Sequence, residues 1–174
     1  MRAAALLVLP LLATSCTGSR WDGTYQVLVS FLTWDCTGDT VLYDEGYHRE
    51  EAGLITVQHT AADSMVVSLG DLVLAGTHEG PDFEVSASQG FTDSSCERYA
   101  YELSDVFAGS FTADLGIEGT FTVTESMVRE GCTTGGETNE SCTVVRKISG
   151  FLVENDEEQH YGQANWGYTP RSSY

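Results

Sequence analysis

Positive charge is what this chain has least of. Lys147 is its only lysine, and Lys and Arg together number 8 against 26 Asp and Glu, for a formal net charge of -18 over 174 residues. A protein that binds nucleic acid neutralises a row of phosphates with a basic patch, and nothing here supplies one. Such acidity promotes solubility and repulsion between copies. Long apolar runs are also missing: a membrane-spanning helix needs about 20 apolar residues, and no stretch of the body has them. No segment carries a long helical period; the one short candidate, "DEGYHREEA" at 44–52, is polar and broken by Gly46. Catalytic signatures are equally lacking, with no H-E-x-x-H, G-x-S-x-G, phosphate loop or dinucleotide fingerprint. Proline occurs 3 times and cysteine 5 times. No C-x-x-C pair exists and no histidine neighbours a cysteine, which argues against zinc and catalytic thiol chemistry.

What is present begins with "MRAAALLVLPLLATSC". One charge, Arg2, precedes an apolar run over residues 3–13. The run is too short to span a bilayer and has the length of a secretory signal's apolar region. Ala13, Thr14 and Ser15 then lead into Cys16. This ending resembles the lipobox of bacterial lipoproteins, although the leucine that family prefers three places before the cysteine lies one place earlier, at Leu12. The resemblance implies that residues 1–15 are removed, that the Cys16 thiol carries diacylglyceryl, and that its amine is acylated too, with palmitate a typical chain. It also implies a bacterial cell-envelope location. Thr17 in place of aspartate goes, in enteric lipoproteins, with the outer membrane. One acyl chain binds a bilayer marginally and two or more hold firmly, at about 0.8 kcal/mol per buried methylene. Loss of the leader deletes only Arg2 among the charged groups, so -18 becomes -19. Residues 16–20 then read as a tether.

Four cysteines remain in the exported body: Cys36, Cys96, Cys132 and Cys142. An even number outside the cytosol suggests two disulfides, with three possible connectivities. Cys132 and Cys142 flank "TTGGETNES", a polar Gly-rich loop, so the expected bridge closes a hairpin neck there. Cys36 with Cys96 follows by elimination.

The body reads as strands. In "WDGTYQVLVSFLTWDC", Tyr25, Val27, Val29 and Phe31 alternate with a mixed face at period two. Further strands are expected at 54–60, 64–69, 72–77, 83–88, 98–103, 106–113, 119–128 and 143–153. Turn residues stand between several of them, at Gly70-Asp71, Gly80-Pro81-Asp82 and Asp114-Leu115-Gly116. β-Branched and aromatic residues dominate, as pleated packing requires. The expected fold is all-β: an antiparallel up-and-down β-barrel of about 8–9 strands over residues 21–153, with a two-sheet sandwich as the alternative. "GSFT" at 109–112 recurs as "GTFT" at 119–122 across the 114–116 turn, which would pair them in one hairpin. Gly109, Gly119 and Gly150 are the expected bends. "WDGTY" is similar to the opening of lipocalin-like barrels, but Trp21 precedes Gly23 where that family has glycine before tryptophan. No ligand or binding residue follows from it. Several strands are shorter than the roughly 10 residues of a transmembrane barrel, which favours a soluble barrel on a lipid tether.

Few residues offer chemistry. His48, His59, His78 and His160 are scattered and read as surface or strand histidines. The acidic runs 44–51 and 154–160 lack the glycine turn and ligand spacing of a calcium loop and read as solvated charge. Glu102, Glu118 and Glu125 lie in or beside strands, where alternation favours an outward, solvated position. The segment 154–174 carries Tyr161, Trp166, Tyr168 and Tyr174 and reads as an acidic, aromatic tail. The expected function is a non-catalytic binding or interaction module, held to the membrane by acyl chains. It would take a small apolar ligand or an envelope protein partner, need no cofactor or metal and bind no nucleic acid. The alternatives are a structural envelope lipoprotein with a filled interior and a hydrolase built from strand carboxylates. An open apolar interior would favour the first, packed side chains the second, and clustered carboxylates with shifted pKa values the third.

Overall fold

The computed structural model describes residues 19–37, 51–92, 98–131 and 138–153. Eight strands run in chain order: β1 (Gly23–Thr37), β2 (Glu51–His59), β3 (Ser64–Leu69), β4 (Leu72–Glu79), β5 (Asp82–Thr92), β6 (Arg98–Phe111), β7 (Gly116–Glu130) and β8 (Thr138–Val153). Each pairs antiparallel with the next, and β8 pairs with β1, so the sheet closes into an up-and-down barrel. Closure removes the sheet edges around the base, while β1 beyond Val29 and β5 beyond Ser86 are paired on one side only among the described residues.

Alternation builds the inside. Tyr25, Val27 and Val29 on β1, Ile55 and Val57 on β2, and Met65, Val67 and Leu69 on β3 are buried, and Phe107, Phe121 and Ile148 continue the set. Phe83 packs edge-to-face on Phe107 with ring centroids 5.0 Å apart, and lies 5.0 Å from Phe111. The first half of the barrel is therefore filled by interlocked rings, and each buried aliphatic or phenyl side chain contributes about 2–3 kcal/mol. The outward positions are dominated by Ser, Thr and charged residues, the reverse of the apolar outer band that a lipid-facing barrel carries.

Three expectations about elements change. The stretches 98–103 and 106–113 are one strand, β6: the Ser104-Asp105 pair that reads as a break runs straight through, with Asp105 turned inward and buried. β8 begins at Thr138, five residues before the apolar run suggests. The expected Cys132–Cys142 bridge does not form; Cys142 is bonded to Cys36. Because β8 starts so early, Cys142 lies well down the strand, opposite Glu125 on β7 and Cys36 on β1. A register shift between Phe31 and Thr33 helps. One extra residue there changes which parity of β1 faces inward, as a bulge does, and brings Cys36 onto the side of Cys142. Cys36 is therefore also not bonded to Cys96. Cys96, Cys132, Cys16, His48, His160, the run 154–160 and the aromatic tail lie outside the described residues.

The turns match the sequence. Gly70 and Gly80 hold φ of 62° and 60°, a left-handed conformation that glycine adopts without a Cβ penalty. At the 112–115 turn the Gly116 amide donates to Thr112 Oγ1 (2.9 Å), and Leu115 takes φ 63°. The β6–β7 hairpin places Gly109 directly opposite Gly119.

Candidate functional site

The strands alternate in direction, so the barrel has a base, where β1 begins, and a far end. The connections 60–63, 80–81 and 112–115 lie at the base. β1, β3, β5 and β7 run toward the far end and finish there. β1 and β5 to β8 are 11 to 16 residues long, whereas β2, β3 and β4 have 9, 6 and 8. The long strands thus stand beyond the short ones as a one-sided wall. Trp34, opposite Val144 in the β1–β8 ladder, lies on that wall and is 39% exposed.

The base is closed by the segment that enters β1. The Asp22 amide donates to the Ser19 carbonyl (3.0 Å) and the Ser19 amide returns a bond to Asp22 Oδ2 (2.9 Å). Asp22 Oδ1 accepts from the His59 amide (2.7 Å) and from His59 Nδ1 (2.6 Å). Trp21 stacks on Phe111 with centroids 5.0 Å apart and planes 10° from parallel. The Arg20 guanidinium carbon lies 4.7 Å from the Trp21 ring centroid. The Tyr25 hydroxyl donates to the Trp21 carbonyl (2.9 Å). Burial and the Asp22 charge push the Tyr25 phenol up to about 12, so it remains a donor. Burial also raises the Asp22 carboxyl, but the hydrogen bonds from His59 and Ser19 outweigh it, and the group lies below its ordinary value.

A carboxylate has no proton to give, so His59 Nδ1 is the donor. His78 packs edge-on against His59, centroids 4.5 Å apart, with its Nδ1 3.3 Å from the Gly80 carbonyl. A carbonyl likewise only accepts, so His78 Nδ1 is the donor there. His59 Nε2, His78 Nε2 and Trp21 Nε1 are buried and make no hydrogen bond among the described residues. An Asp–His pair of this kind orients a general base when a hydroxyl or thiol meets the other ring nitrogen, and among the described residues none does. No group of three potential metal ligands occurs among the described residues. The arrangement fits a latch that fixes the N-terminal segment to the barrel floor.

A second polar set lies inside the barrel toward the far end. Glu125, 1% exposed, faces inward, contrary to the outward position expected for it, and Asp105 and Arg146 are buried with it. Glu102 and Glu118 are exposed, as expected. Burial pushes the Asp105 carboxyl up to about 6. Sequence reasoning passed over Trp21, Asp22, Asp105 and Arg146. Parity offered one signal: His59 shares the inward phase of Ile55 and Val57. The chain matches no known protein family, no curated protein and no solved structure.

Proposed function

We propose that this protein is a lipid-anchored, non-catalytic envelope protein that presents its far end to a protein partner. The observation that carries the reading is the latch at residues 19–22. Only residues 17 and 18 separate Cys16, the expected acylation site, from a segment hydrogen-bonded to the barrel floor. Three residue steps reach at most about 11 Å, so an anchor at Cys16 holds the base close to the bilayer. The packed rings near the base are the feature expected of the structural alternative and speak against a small apolar ligand inside, so recognition of a partner falls to surfaces and rims. Trp34 on the long-strand wall is a side chain of the type that anchors interfaces.

Cys16→Ser is the test. The variant is expected to leave the membrane fraction for the soluble exported fraction and to lose metabolically incorporated palmitate; unchanged membrane retention refutes acylation. A photo-crosslinking residue at position 34 is expected to give one discrete adduct with an envelope protein in intact cells, and no adduct there refutes the partner surface.

A further inference from the structure

The outer wall of the barrel is not evenly charged. Phe151 and Leu54 both pair with Gln26, one from β8 and one from β2, and Leu28 lies two residues further along β1. Their exposures are 56%, 38% and 44%. They form one apolar patch across β8, β1 and β2, near the base. Over residues 24–30, 52–58 and 147–153 the outward side chains are apolar, hydroxylic or amide, with one exception, Lys147. Among the described residues no carboxylate points outward over these three stretches; the nearest on β1 is Asp35, further toward the far end and exposed. Glu118, opposite Ser149, borders it on the β7 side. The opposite side is acidic, with Asp63, Glu79, Asp82 and Glu84 exposed around β3, β4 and β5.

We infer that the wall formed by β8, β1 and β2 is the face the protein lays against the phospholipid surface carrying its anchor. The inference rests on the acylation of Cys16 proposed above. The tether enters at β1, the central strand of the patch, and its reach of about 11 Å keeps that strand near the headgroups. Standing upright on its base would bring Asp63, Glu79 and Asp82 toward anionic lipid. Leaning onto the base half of this wall moves them away, places Phe151, Leu28 and Leu54 at the interface, and leaves Lys147 facing lipid phosphates.

The test uses the acylated protein in nanodiscs of phosphatidylethanolamine and phosphatidylglycerol doped with a gadolinium-headgroup lipid, read by methyl NMR. Val73 on β4, 55% exposed, is the internal control. The Leu28 and Leu54 methyls are expected to broaden several-fold more than those of Val73. Equal broadening of all three in an acylated, disc-bound sample overturns the docking face alone. Mass spectrometry that finds no acyl chains overturns the anchor and the docking face with it. Two outcomes assign the wall to another occupant and also overturn the inference. One is a dimer of the Cys16→Ser protein in ultracentrifugation that Leu54→Asp dissociates. The other is protection of the Leu28 and Leu54 methyls from soluble gadolinium, in that unacylated protein, as complete as that of buried Leu74.

Discussion

Asp105 and Asp22 are two carboxyls whose surroundings act in opposite directions on stability. Burial alone raises Asp105, to about 6, so the folded protein holds a proton there that the unfolded chain has already released. Stability from this group is therefore highest below its unfolded value and falls as pH rises to about 6, by roughly 1–2 kcal/mol once residual water screening is allowed for. Asp105→Asn is expected to raise the midpoint of urea unfolding at neutral pH and to flatten the dependence between about pH 4 and 6. An unchanged slope would show that other groups set it. Asp22 lies below its ordinary value of 3.8, so its contribution is present above that pH and is lost as pH falls through the lower folded value. Asp22→Ala leaves the His59 amide and Nδ1 without their acceptor, at a cost of about 1–3 kcal/mol. Thermal melts read the loss, and nitrogen NMR is expected to show His59 no longer held as the Nδ1–H tautomer. Little of this site is legible in the sequence. Parity marks His59 as inward, but nothing local ties Asp22 to a residue 37 positions away. Asp105 follows a serine, and a polar pair between apolar runs has the composition of a turn. Its burial depends on strands that close over it from elsewhere in the chain.

Hairpin and ladder register govern the elements. Gly109 faces Gly119, and a Cβ on Gly119 would sit 2.7 Å from the Gly109 Cα, 2.9 Å from Phe107 Cε2, and closer still to the Ala108 carbonyl. Gly119→Ala must move backbone or a core ring, so a loss of about 2–4 kcal/mol in chemical unfolding is expected, against near neutrality for Ala at exposed Thr120. The echoed "GSFT" and "GTFT" reveal this pairing because both lie in one hairpin, where the intervening turn fixes register. The Cys36–Cys142 bond was not readable that way. It spans 106 residues and depends on β8 closing onto β1. Its constraint on the unfolded chain is worth about 4–5 kcal/mol in the chain-entropy model. The two remaining cysteines are expected to pair with each other. Arg98 opposes Glu130 at the last described step of β6 and β7, and in sequence Cys96 lies two residues before Arg98 and Cys132 two residues after Glu130. Peptide mapping without reduction is expected to recover Cys36 linked to Cys142 and Cys96 linked to Cys132. Free thiols at 96 and 132 in exported protein would overturn the second bond.

For the molecule as a whole, 26 carboxylates against 8 basic side chains make self-repulsion a term in folding. Folding brings the carboxylates of the described strands and turns close together, most of them on the outer surface of the barrel, whereas the unfolded chain spreads them. Buried Arg146 adds little counter-charge outside, and the acidic side around β3 to β5 concentrates like sign. Screening acts over about 30 Å at 0.01 M salt and about 8 Å at 0.15 M. Raising sodium chloride across that range at neutral pH should therefore increase Tm, and the gain should level off once the screening length falls below the spacing of neighbouring carboxylates. Near pH 4, where about half of ordinary carboxyls hold a proton, the same salt step should have a smaller effect. Calorimetry at the two pH values, with the disulfides intact, separates this from a general salting-out contribution. Salting-out strengthens apolar burial at both pH values alike, whereas relief of repulsion scales with ionised carboxylates. A Tm that fell with salt at neutral pH would mean that attractive pairs involving the few arginines outweigh the repulsion. The acidity would then be a property of the surface only, with no part in stability.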